Sequence, residues 1–259
     1  MINLDKILGL PILFDEKNFD LKFEGDFAPM RKTERSLDAL RPFLKNSDVT
    51  EARPNDRSVG RGPDPAYRVW RGVCLKSEEE KIKNSGLRLD LVIMPPGKIC
   101  PVRSDVSNGV NCEFVKTAGH YHLSYPEMYF ILYGRAYNLT QSYNENPKVI
   151  KSVRLTEADA GEQIFIPRDF GHNTINVFDE PLLFATLVDE NVVDNYEFYK
   201  NMHGASYYFL DNGNLVDIVK NPNYDSVPEL KKIPAEKTSA GVWRNWNTRT
   251  LQERMDESH

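Results

Sequence analysis

The sequence predicts an all-β protein, a sandwich or closed barrel, and three observations predict it. From Tyr67 onward, short apolar runs recur at spacings of roughly ten residues, little helical periodicity lies between them, and turn-forming words separate them. The chain of 259 residues is long enough for one large domain or two small ones, and its 12 Tyr and 13 Phe suit strands and the lining of a pocket.

In chain order, ILGLPILF and FDLKFEG are extended pieces within the first 25 residues. In RKTERSLDALRPFLK, Leu37, Leu40 and Phe43 have the spacing of one helix face, and Pro42 keeps that helix short or broken. Residues 46–65 collect charges with Gly60, Gly62, Pro54, Pro63 and Pro65, a loop composition. Residues 1–65 are thus an N-terminal arm. The strands follow as YRVWRGVCL, LRLDLVIM, CEFVKTAGHYH, EMYFILYGRAYNLTQ, KVIKSVRLT, EQIFIP, NTINVF, PLLFATLV, YYFL and LVDIV. PPGK, YNENP, EADAG, PRDFG, FDEP and DNGN break them, giving a barrel over 66–225. Residues 226–259 form a polar tail, with Trp243 and Trp246 as apolar anchors for docking on the barrel or on a partner chain.

The net charge of −5 and sequence pI of about 5.6 offer no basic surface to a phosphate backbone or an anionic membrane, so neither nucleic acid nor membrane is expected as a partner. No apolar run approaches the ~20 residues of a spanning helix, and the N-terminus lacks the basic start and apolar core of a signal peptide. A cytoplasmic location is the expectation. Cys100 and Cys112 bracket a polar segment and could meet, but reduced thiols are the simplest reading of the three cysteines.

The chemistry sits in two stretches. In Thr117-Ala-Gly-His120-Tyr-His122-Leu-Ser-Tyr-Pro-Glu127, alternate strand positions put His120 and His122 on one face. A tight turn over Leu123–Pro126 then starts a new strand with Glu127 beside them. In the second stretch a strand ends at Pro167, a turn follows, and His172 opens the next strand. Three imidazoles and a carboxylate suit one divalent first-row ion, Fe, Mn, Ni, Co or Zn, and leave two positions open on an octahedral one. A lone His in a strand is ordinarily a structural residue; agreement of the spacings to Glu127, Gly134, Gly161, Pro167 and His172 is what gives this set its weight.

These stretches resemble the paired motifs of the cupin superfamily, whose fold is a double-stranded β-helix, or jelly-roll, barrel. The words KTAGHYH and YPEMY, with Gly134 and Gln141 downstream, are similar to the cupin-type glucose-6-phosphate isomerases of archaea. MRKTERSLDAL, PAYRVW, DLVIMPPGK, FDEPLLFA and YYFLDNGNLVDIVKNPNY extend the likeness over residues 30–225. The resemblance implies interconversion of glucose 6-phosphate and fructose 6-phosphate at a metal site of His120, His122, Glu127 and His172. It also implies Glu127 as the catalytic carboxylate, a homodimer, and Tyr67, Thr117, the backbone at Gly119, Tyr129 and Tyr196 as contacts to the sugar phosphate.

There are departures. Phe114 and Asp169 stand where the superfamily has turn glycines. Val92 replaces a phosphate-binding Thr, Val188 a Tyr, and Asp194 a His, changes expected to weaken binding of a dianion. Two rivals follow. An oxygenase with the same ligand set would need an apolar pocket, which the tyrosines disfavour; a non-catalytic sugar- or metabolite-binding cupin is supported by the three replacements. Ser124 lacks a nucleophile-elbow setting, Gly60-Arg-Gly62 has no strand and helix around it, and His203 lies in a polar, solvated stretch.

Overall fold

The computed structural model describes residues 1–47, 63–101, 112–143, 145–213 and 215–257. Most of the expected 46–65 loop, with Gly60 and Gly62, and of the 101–111 insertion lies outside the described residues.

The chain opens on a small antiparallel sheet of β1 (Ile2–Asn3), β2 (Ile12–Asp15) and β3 (Asp20–Phe23), with the helical turn α1 (Asp5–Leu8) after β1. Only the end of ILGLPILF is therefore extended. β4 (Arg31–Arg35) leads to α2 (Leu37–Leu40), where Ser36 accepts from the Ala39 N–H, and a 3₁₀ turn over Arg41–Phe43 follows. Pro42 breaks the helix as its spacing required. Next come β5 (Tyr67–Arg71), α3 (Glu79–Ser85), β6 (Leu87–Met94), β7 (Lys98–Ile99) and β8 (Glu113–Lys116). The sequence reading missed α3, whose seven residues carry a single apolar side chain, Ile82.

The site-bearing strands are β9 (His120–His122), β10 (Glu127–Tyr133), β11 (Arg135–Tyr143), β12 (Ile150–Asp159), β13 (Glu162–Ile166) and β14 (Gly171–Asn176). They are followed by β15 (Leu182–Asp189), β16 (Asp194–Asn195), α4 (Glu197–Asn201), β17 (Tyr207–Asp211) and β18 (Val216–Lys220). The tail adds β19 (Lys231–Pro234), β20 (Glu236–Lys237) and α5 (Thr248–Glu257).

Two sheets face each other in the expected double-stranded β-helix. One runs β20-β13-β10-β15-β6-β5-β4; the other runs β18-β17-β8-β14-β11-β12-β19, with β7, β9 and β16 attached beside it. The sheets extend past residues 66 and 225 at both ends, since β4 comes from the arm and β19 and β20 from the tail.

Period-two alternation explains the near-continuous apolar runs. Val92, Met94, Tyr129, Ile131, Leu182 and Phe184 face the core between the sheets, with Leu139 and Ile175 from the opposite sheet. Their neighbours Leu89, Leu91, Ile93, Met128, Phe130, Leu183 and Ala185 face the other way. There the N-terminal Leu4, Leu8, Ile12 and Phe14 and the tail's Trp243 cover them. A sheet buried on both faces needs apolar residues at both phases. Trp243 is 3% exposed, and its indole N–H donates to the Leu8 carbonyl at 3.0 Å, so the tail docks on this chain's own arm.

The reduced-thiol expectation is corrected for two cysteines: Cys100 and Cys112 form a disulfide. The register of β7 on β8 explains it, because Lys98 faces Phe114 and Ile99 faces Glu113, which makes Cys100 and Cys112 the next opposed pair. Cys74 is free and buried, and burial raises its thiol pKa, so it is an unreactive thiol.

Candidate functional site

Strand pairing assembles the four residues. His120 and His122 lie on β9, His172 lies on β14 directly opposite His120, and Glu127 opens β10 in the facing sheet between Ile166 and Val188. One donor atom from each of the four falls within 4.8 Å of the others. The ring centroids stand 4.4 Å apart for His120–His122, 4.6 Å for His120–His172 and 5.0 Å for His122–His172. Glu127 Oε2 lies 3.1 Å from His172 Nε2 and 3.4 Å from His122 Nδ1.

The donor set fits a cation. Glu127 Oε2, His122 Nδ1 and both nitrogens of His172 are buried, and none makes a hydrogen bond. Buried polar atoms are nearly always satisfied, and lone pairs converging on one point are satisfied by a positive charge between them. Electrostatics hold two of the groups, His120 and Glu127, in ligand form. Burial, reinforced by neighbouring His172 and His122, pushes His120 well below the ordinary histidine value, so it is a neutral imidazole. For Glu127 burial acts upward, but His122 and His172 outweigh it and keep the carboxyl below its ordinary value, so it is ionised.

The cluster opens into a pocket of about 320 Å³ that also holds all five residues expected to meet substrate: Tyr67, Thr117, Gly119, Tyr129 and Tyr196. The Tyr67 hydroxyl accepts from Arg35 Nε at 3.2 Å and from the Ala118 N–H at 3.4 Å. Thr117 Oγ1 accepts from the Thr174 N–H at 3.0 Å. Tyr129 stacks on Phe184, centroids 5.1 Å apart, and Tyr196 donates to Asp194 Oδ2 at 3.0 Å. Val92, Val188 and Asp194 line the same pocket.

Sequence reasoning missed the pocket's arginines, Arg31, Arg35, Arg71 and Arg88, and with them Asp90. Asp90, 3% exposed, accepts from Arg71 Nη1 at 3.1 Å, Arg88 Nε at 3.0 Å and the Gly72 N–H at 2.9 Å. Alternation was the available signal: Tyr67 and Arg71 share a face of β5, as do Arg88, Asp90 and Val92 on β6, and Arg71 pairs with Asp90. Arg35 differs from Arg71 and Arg88 in pairing with no carboxylate among the described residues; its guanidinium lies over the rings of Tyr67 and Tyr196, at 6.0 and 5.5 Å.

Two local devices fix the backbone. Gly119 has φ +77°, and a Cβ there would sit 2.8 Å from the Tyr199 ring, so only glycine fits the turn into β9. Asp169 has φ +63° where the superfamily uses glycine; its carboxylate accepts from the Ser124 N–H at 3.0 Å and its N–H donates to the His122 carbonyl at 3.1 Å. Aspartate tolerates that conformation, and the two bonds tie the His172 turn to the His122 turn. Phe114 simply continues β8, and His203 is exposed. No helix among the described residues is long and apolar enough to cross a membrane.

A family model described as glucose-6-phosphate isomerase matches residues 45–228. The chain is 26% identical over 207 residues to glucose-6-phosphate isomerase of Thermococcus litoralis, covering 79% of this chain and 94% of the relative. It is 26% identical over 168 residues to that of Pyrococcus furiosus, covering 61% and 79%. Among solved structures, oxalate decarboxylase of Bacillus subtilis aligns with a TM-score of 0.33 and 19% identity over 54% of this chain, which spans 28% of that one.

Proposed function

The chain belongs to the cupin-type glucose-6-phosphate isomerase family, and on that premise we propose that its pocket interconverts glucose 6-phosphate and fructose 6-phosphate with one divalent ion held by His120, His122, Glu127 and His172. The observation that carries the proposal is the three-histidine, one-carboxylate cluster, with buried, unsatisfied donors on His122, Glu127 and His172, beside a pocket lined by arginines and tyrosines.

When bound, the ion supplies Lewis-acid stabilisation of negative charge developing on the C1 and C2 oxygens of the open-chain sugar. The chain's own residues do the rest. Glu127 presents Oε2 to the imidazoles, and its other oxygen is assigned to take the C2 proton and return it at C1. Arg35, the Tyr67 and Thr117 hydroxyls and the Gly119 N–H receive the phosphate, and Arg35 supplies its positive charge. Tyr129 and Tyr196 border the space left for the sugar hydroxyls. Burial raises the hydroxyl pKa of both, so each remains a neutral donor. A homodimer is proposed on the family likeness, with sizing of the purified protein as its check.

A coupled assay with glucose 6-phosphate, with and without chelator and with added Mn, Fe, Ni or Zn, tests the proposal. Turnover that disappears with chelator and in His172→Ala is expected. A second reading, a non-catalytic sugar-phosphate-binding cupin, draws on Val92, Val188 and Asp194 all lining the pocket. It prevails if no ion gives turnover while glucose 6-phosphate still raises the melting temperature.

A further inference from the structure

We infer that Asp194 is a positioning residue for the metal site: its carboxylate accepts the Nε2–H of His122 and so holds Nδ1, with its lone pair, toward the ion. This rests on the metal reading proposed above and deepens it. The backbone sets the contact, because β16 pairs antiparallel with β9 and Asp194 stands directly opposite His122.

Two carboxylates flank the His122 ring, one at each nitrogen. Asp194 Oδ1 lies 3.1 Å from Nε2 in a hydrogen bond, and Glu127 Oε2 lies 3.4 Å from Nδ1. A neutral imidazole carries one N–H and an ionised carboxylate only accepts, so the ring donates to one of the two and not to both. Glu127 Oε2 and His122 Nδ1 each lack a hydrogen bond, which assigns the proton to Nε2 and leaves two lone pairs facing one another. A cation between them relieves that repulsion. Atoms each ~2.1 Å from one ion stand ~3.0–3.4 Å apart at octahedral to tetrahedral angles. The 3.4 Å from Glu127 Oε2 to His122 Nδ1 and the 3.1 Å to His172 Nε2 fall in that span. Asp194 Oδ1 stands 3.8 Å from His120 Nε2, beyond a hydrogen bond, so it holds His122 alone.

The carboxylate is itself fixed from behind. Its Oδ2 accepts from the Tyr196 hydroxyl at 3.0 Å and has Arg71 Nη2 at 3.7 Å, and Arg71 is tied in turn to the buried Asp90 at 3.1 Å. A chain of contacts thus runs from β6 and β5 through Asp194 to a metal ligand on the facing sheet. His122 is buried, so losing the carboxylate takes the acceptor from a buried Nε2–H, frees the ring to turn about its Cβ–Cγ bond and lowers the basicity of Nδ1. Asp194 stands where the family likeness has a histidine. The replacement expected to weaken a dianion's binding supports the cation instead.

Metal-free wild-type protein, Asp194→Ala and Asp194→Asn would be titrated with Mn(II), free ion being read by electron paramagnetic resonance, and their saturated Co(II) forms compared by visible absorption. The expected result is a Kd for Mn(II) about ten- to hundredfold higher in Asp194→Ala and a smaller rise in Asp194→Asn, whose amide oxygen still accepts. The Co(II) bands should be unchanged, because all four ligands remain. A Kd for Asp194→Ala within about twofold of wild type overturns the inference and leaves the proposed function standing. Altered Co(II) bands also overturn it, because Asp194 then belongs to the ligand set. Wild-type protein that takes up neither ion removes the inference and the metal reading together. Nitrogen-15 NMR of histidine-labelled, metal-free wild type at about pH 8, above the ordinary histidine value, needs no substitution. His122 should carry its proton on Nε2, and a proton on Nδ1 overturns the inference even if Asp194→Ala fails to fold.

Discussion

The proposed metal site makes a quantitative demand on stability. Buried polar atoms on Glu127, His122 and His172 lack hydrogen bonds, and an ion that binds only the folded chain would satisfy Glu127 Oε2, His122 Nδ1 and the one His172 nitrogen that faces them. At an ion concentration of 100 Kd, such a ligand stabilises by about 2.7 kcal/mol. For a chain of this size each kcal/mol moves the melting temperature by roughly 2–4 °C, so wild type should melt ~5–11 °C higher with the ion than after chelation. His172→Ala deletes one of four donors. Loss of even an outer-shell partner costs up to about 100-fold in affinity, and with Kd raised that far the same concentration gives RT ln 2, ~0.4 kcal/mol. That is a rise of about 1–2 °C.

The comparison is made within each protein, with and without ion, by scanning calorimetry. Whatever the substitution costs the fold therefore cancels. If no first-row divalent ion raises the wild-type melting temperature, or if His172→Ala responds as strongly as wild type, the unsatisfied atoms are not a metal site and the reasoning fails.

Three further outcomes follow from particular contacts. Arg35→Ala removes a cation that forms no ion pair with a described carboxylate and that contacts Tyr67; it should cost about 1.5–3 kcal/mol of substrate binding, a roughly ten- to hundredfold rise in KM for glucose 6-phosphate with kcat less affected, and an unchanged KM would exclude Arg35 from the phosphate. Trp243→Ala, 3% exposed in the core remote from the pocket, should lower stability by about 3–5 kcal/mol, and urea melts should show the same loss with and without metal. Acid should weaken the metal-free protein. His120 is held below its ordinary value of 6.5, so below that pH the unfolded chain binds a proton the folded one refuses, and Glu127 and Asp194, also held below their ordinary values, add the same sign of loss below about 4.5. Denaturation midpoints flat from pH 8 to pH 5 would contradict the burial assigned to His120.

What could be read from the sequence was whatever the chain encodes locally. The strands of LRLDLVIM and LLFATLV announce themselves by apolar density, and His120, His122 and Glu127 sit within eight residues of one another. His172 was found because its motif has its own spacing. What escaped depends on register between distant strands. Nothing near Arg35 in sequence says that it will cap Tyr67, 32 residues on, and Asp194 meets His122 across 72 residues only because β16 pairs with β9. The disulfide escaped for the same reason, its two cysteines being opposed only once β7 and β8 are aligned.

The replacements that seemed to weaken a phosphate site take on another meaning in three dimensions. Val92 pairs with Val69 on one side and Phe184 on the other, continuing an apolar stripe on which Tyr129 stacks. Glu127 and Asp194 gather around the three histidines, Arg71 lies against both Asp90 and Asp194, Arg88 against Asp90, and Arg35 lies over Tyr196 with no ion pair among the described residues. Tyr196 spans the gap, its ring 5.1 Å from His120 and 5.5 Å from the Arg35 guanidinium. A ligand matching this polarity carries its anion at one end and a chain of neutral oxygens leading to the cation at the other. An open-chain hexose phosphate has that layout; an aromatic substrate for oxygen chemistry does not, because it would leave Arg35 without an anionic partner.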